Sequence, residues 1–132
     1  MRLFVADAPG GDWSELTDGE QRTVRVAASD LQQARRARMR IRARGDDVAV
    51  ILDVTVAVAG DFRSARGALE LAEHTVHYAG TVDGLAGLIS DIAKADVADG
   101  VTLISASPQQ DLRDLARDVL HRLALRDQPR AS

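Results

Sequence analysis

Hydrophobic positions along the chain alternate between two periods. Leu3-Phe4-Val5-Ala6 is a short apolar run stopped by Asp7-Ala8-Pro9-Gly10-Gly11, whose proline and glycines favour a turn. Val24-Arg25-Val26 is a second β-branched run, and Val101-Thr102-Leu103-Ile104 closes the series. Between them Val48 to Val58 is nearly all apolar and β-branched, as suits a strand covered on both faces. These runs predict strands near residues 2–6, 23–27, 48–58 and 100–105.

Helical spacing fills the intervals. Ser29 and Gln32 fit a capping box that opens a helix running to Arg44, and Gly45 stands where a left-handed C′ residue belongs. Positions 31, 34 and 41 give that helix an apolar stripe, flanked by Ala37 and Met39. Asp61 or Ser64 opens a second helix through about His74. Thr81 caps a third, with Leu85, Leu88, Ile89 and Ile92 on one face. Ser107-Pro108 starts the last, along which Leu112, Leu115, Ala116, Val119 and Leu123 line one stripe. Trp13 to Leu16 reads as a short helix broken by Asp18 and Gly19, and Asp127 to Ser132 as a polar tail after a single domain over 1–126. The expected class is α/β: four parallel βα units resembling half of a TIM barrel, or an open doubly wound sheet.

Composition narrows the chemistry. At 132 residues and 14.2 kDa, with 45% hydrophobic residues, the chain is long enough to bury its own core. It has no cysteine, so disulfides, thiolate metal sites and cysteine nucleophiles are excluded. No apolar run reaches the ~20 residues of a membrane span. Asp7 interrupts the opening apolar stretch too early for a secretory signal, and the expectation is a soluble cytoplasmic protein with no membrane partner. Residues 30–45 carry six arginines against one acid, +5, which leaves −8 on the rest of a chain of net charge −3. The arginines fall on several faces with no aromatic between them, so the expectation is a solvated outer helix and no nucleic acid.

Sites in βα folds gather at the C-terminal ends of strands. Gly10 and Gly11 there can cradle a phosphate or form an ordinary turn. Ser105 and Ser107 can donate to a ligand, although Ser107 is also a helix cap. Asp53, the polar residue inside the longest strand, either faces a barrel interior and binds something or pairs with a neighbouring arginine. His74 and His77 stand three apart without a third ligand, so no metal is expected. No nucleophile–base arrangement can be assembled, and composition and spacing alone assign no activity.

Several stretches, in order, resemble the C-terminal part of the luciferase-like flavin-dependent monooxygenases, which are eight-stranded βα barrels. They are Gln21 to Val26, Arg44-Gly45-Asp46-Asp47-Val48, Ile51 to Val56, Tyr78-Ala79-Gly80-Thr81, Val97 to Leu103 and Val119 to Leu123. The resemblance implies a flavin-type cofactor, FMN or a deazaflavin, with Gly10, Gly11, Ser105 and Ser107 as the cofactor-binding candidates. The N-terminal half of such a barrel has no counterpart here, and Asp7 and Asp12 put negative charge where a flavin phosphate would sit. The expectation is a truncated luciferase-like domain without independent catalytic activity. The alternatives are a small FMN- or deazaflavin-binding oxidoreductase completed by oligomerisation, and a module that binds another protein. Four parallel strands cannot close a barrel, and the apolar face and open edges so left predict a homodimer.

Overall fold

The computed structural model describes residues 1–6, 13–45, 47–58, 76–105 and 112–127. In chain order these form β1 (Arg2–Ala6), β2 (Trp13–Glu15), β3 (Thr23–Val26), α1 (Leu31–Ala43), β4 (Ala49–Val58), β5 (Val76–Gly80), α2 (Val82–Lys94), β6 (Gly100–Ser105) and α3 (Leu112–Asp127). The class is α/β, with a curled mixed sheet that forms a half-barrel.

β4 is the hub of the sheet, as its length and apolar character require. One edge pairs with β6 from Ile51 to Val56. The other is shared, with β3 along Ala49–Leu52 and β5 along Val54–Val58. The order is β2-β1-β6-β4-β3, parallel except where β2 returns antiparallel along β1.

All four expected strands are present, and two more join them. Trp13–Glu15 is a strand and not the short helix its sequence suggests. Cross-strand contacts decide this: Trp13 stacks on Phe4 and Glu15 pairs with Arg2, which one turn of helix would not permit. β5 is too brief, and too interrupted by His77, to register as a β-like run. Successive βα barrel units would place each strand beside the next in sequence. Here β1 lies beside β6, because β2 occupies its other edge and shuts β3 out.

Strand alternation gives the sheet two distinct faces. Leu3 and Val5 of β1, Leu52, Val54 and Val56 of β4, and Val101 and Leu103 of β6 share a core with α2 and α3. α2 contributes Leu85, Ile89 and Ile92, all buried, and Leu88, partly buried, as its period predicts. Each such aliphatic side chain contributes about 1.5–3 kcal/mol by leaving water. Thr81 caps α2, its hydroxyl accepting from the Gly84 N–H at 3.1 Å. The cap of α1 is displaced by one residue from the expected box. Asp30, extended at φ −151°, accepts from Gln33 N–H at 2.8 Å, while Gln33 Oε1 accepts from Ser29 N–H. Gly45 ends the helix at φ +78°, as expected. The cap expected at Ser107 and the helix expected from Asp61 or Ser64 to His74 lie outside the described residues.

Candidate functional site

The second sheet face carries Phe4, Ala49 and Ile51, with Trp13 packed on them. By the same alternation it also carries Arg25, Asp53, Thr55 and Thr102. The parallel register places Thr102 beside both Asp53 and Phe4, and Thr55 beside His77. β3 presents Arg25 two residues from Asp53 along β4, on the same face, because Arg25 pairs with Ile51.

These side chains form one continuous cluster. Arg25 Nε donates to Asp53 Oδ1 at 2.7 Å, with the carboxylate side chain only 3% exposed. The Arg25 guanidinium lies over the Trp13 ring at 5.0 Å, and Trp13 stacks on Phe4 at 4.2 Å between centroids. The stack and the cation–π contact cover the ion pair and hold the guanidinium in place. Thr102 is fully buried, and among the described residues its hydroxyl has no hydrogen-bond partner. Of the two readings open to Asp53, the structure shows the pairing with a neighbouring arginine.

Two further ionic clusters sit at the N-terminal ends of the parallel strands. Arg2 binds both oxygens of Glu15, at 2.8 and 2.6 Å, and Thr17 Oγ1 donates to the same carboxylate. The Arg2 hydrogen bonds hold the Glu15 carboxyl down, from the ordinary 4.5 to about 2, against the opposing effect of burial. Asp99 receives Arg38 at 3.0 Å and Arg42 at 2.9 Å. Burial pushes the Asp99 carboxyl up, but the Val50 N–H and the two guanidinium groups together outweigh it and leave it below its usual range.

The chain matches no family model and no curated protein. Its chemistry has to be read from the residues themselves.

Of the four cofactor-binding candidates, Gly10, Gly11 and Ser107 lie outside the described residues. Ser105 ends β6 and follows Val101 and Leu103 in alternation, which puts it on the helix-covered face, away from Asp53. His77 is exposed on β5, His121 is exposed on α3, and His74 lies outside the described residues. No group of three metal-ligating side chains is assembled among the described residues. No described helix is long and apolar enough to cross a membrane. A flavin ring on the inner face would have to displace the Phe4–Trp13 stack or the Arg25 guanidinium, so the described residues do not fit one there.

The face expected to lie open and drive a homodimer is buried within the single chain, with Ile51 at 0%, Asp53 at 2% and Ile104 at 2% exposure. The outer edge of β1 is covered by β2, itself only three residues long. Sequence reasoning missed Arg25 and Trp13. The signal for Arg25 was present: a lone charge inside the Val24–Val26 run, opposite in sign to the lone charge of β4.

Proposed function

We propose that the chain is a luciferase-like barrel fragment that carries no monooxygenase chemistry of its own and serves as a non-catalytic domain. The sequence resemblance and the curled half-barrel sheet support this reading. The Asp53–Arg25 pair carries it. In a βα barrel reacting groups gather at the C-terminal ends of the strands, whereas Asp53 lies within β4 and is sealed. A general acid or base must reach its substrate within hydrogen-bond distance. Asp53 is bonded to Arg25 and only 3% exposed, which disfavours its acting as a general acid or base. The Phe4–Trp13 stack fills the adjoining space, and this packing favours a structural role for the whole cluster.

Titration of FMN, and separately of a deazaflavin, with the purified chain tests the reading. The expected result is unchanged flavin fluorescence, a colourless protein and no NADH-dependent oxygen consumption. Saturable quenching, or a protein that purifies yellow, would overturn it.

A further inference from the structure

The arginines of α1 do not share one fate. Arg38 and Arg42 turn inward to Asp99. Arg36 and Arg40 instead line a depression of about 220 Å³ together with Gln33, Ala37, Ala27 and Ala28. Neither has an ion-pair partner among the described residues. α1 has no acidic residue between Leu31 and Ala43 to neutralise them. Gln33 has its Oε1 committed to the Ser29 N–H at 3.2 Å, which leaves the NH₂ end of its amide to donate.

Among the described residues the hollow is thus lined by two arginines without an ion-pair partner and by a Gln33 amide whose NH₂ can donate. The complementary ligand is an oxyanion. Arg36 and Arg40 lie one helical turn apart, a rise of about 6 Å, so their planar donor forks can grip oxygens of one phosphoryl group or of two joined ones. The volume is that of about seven waters at their liquid share of about 30 Å³ each, enough for one or two phosphoryl groups. The net charge of −8 outside residues 30–45 disfavours a long polyanion such as a nucleic acid. We propose that the α1 hollow binds the phosphoryl groups of a phosphorylated small molecule through Arg36, Arg40 and Gln33. This assignment does not depend on the luciferase-like reading.

The test is calorimetric titration of the full chain with inorganic pyrophosphate at low ionic strength, with amide shifts followed by NMR. Binding is expected to saturate at one site and to move the Ala27, Ala28 and Gln33 amides. Arg36→Ala and Arg40→Ala should each weaken it about tenfold, as expected for loss of a charge-assisted contact. Arg35→Ala, on the same helix but outside the hollow, should leave it unchanged. All three positions are exposed, and circular dichroism checks that the variants stay folded. No saturable signal up to about 10 mM, an affinity worth under ~3 kcal/mol, would overturn the proposal. Equal loss in Arg35→Ala would also overturn it, as the mark of a diffuse charge effect. So would a single-stranded oligonucleotide that binds more tightly than pyrophosphate and loses its affinity in the same variants.

Discussion

Asp99 and Val50 hold each other twice. The Val50 N–H donates to Asp99 Oδ2 at 2.8 Å, and the Asp99 N–H donates to the Val50 carbonyl, also at 2.8 Å. Asp99 stands just before β6 and Val50 near the start of β4, so this clasp fixes the register that aligns Ile51 with Gly100. Arg38 and Arg42 reach the same carboxylate and tie α1 to the sheet. Asp99→Ala strips a buried amide of its acceptor and two guanidinium groups of their partner, and should cost about 3 kcal/mol in urea unfolding. Asp99→Asn keeps an acceptor for Val50 and should cost visibly less. Equal losses would mean that the charge, and not the clasp, matters.

Glu15 and Asp99 together set the acid limit. Both carboxyls are depressed in the folded chain, Glu15 to about 2. A group with a lowered folded pKa contributes its stability above the unfolded value and loses it as pH falls through the folded one. Stability should therefore decline from about pH 4.5 toward pH 2. The Glu15 share is about 2 kcal/mol once solvent around the pair is allowed for. Glu15→Gln should be less stable than the parent at pH 7 and lose less between pH 5 and 3, measured by urea midpoints across that range.

The Asp53–Arg25 pair makes a sharper prediction, because losing either side chain takes from the other a 2.7 Å charged contact. Asp53→Ala or Arg25→Met alone should cost about 3–5 kcal/mol. Asp53→Leu combined with Arg25→Met replaces both by apolar groups and should recover most of that loss. A double variant as unstable as the sum of the singles would mean that the two side chains act independently, against the 2.7 Å contact.

The sequence made the fold class and four of the strands legible, because long β-branched runs and a clean i, i+3, i+4, i+7 stripe are local signals. Asp53 stood out for the same reason: one charge inside an apolar strand has no local explanation. β2 was invisible because the contacts that make it a strand are cross-strand, through Phe4–Trp13 and Arg2–Glu15, partners 9 and 13 residues apart. The strand order escaped for a related reason. No periodicity records that β1 ends beside the last strand and not the next one. α1 shows the limit in charge reading: its five arginines look alike in sequence, and only packing separates Arg38 and Arg42, which clamp Asp99, from Arg36 and Arg40, which do not.

Two glycines should respond to the same substitution with opposite signs. Gly100 opens β6 between Arg2 of β1 and Ile51 of β4, fully enclosed by both neighbours. A Cβ there would come within 2.5 Å of the Arg2 carbonyl oxygen and 2.8 Å of Ile51 Cδ1. The isoleucine tip can rotate away, but the carbonyl belongs to the β1 backbone and can yield only by parting β1 from β6. Overpacking of that kind typically costs about 1–3 kcal/mol, and Gly100→Ala should lower the melting temperature accordingly. Gly87 sits inside α2 in ordinary helical backbone, where the nearest atom to an added Cβ is Arg126 Nη2 at 3.5 Å, the movable end of a long side chain. Glycine within a helix is worth about 0.5–1 kcal/mol less than alanine, so Gly87→Ala should raise the melting temperature. If both variants melt lower, α2 packs against α3 more tightly than the Arg126 contact indicates. If Gly100→Ala melts unchanged, β1 and β6 are not held at the close approach that makes residue 100 a glycine.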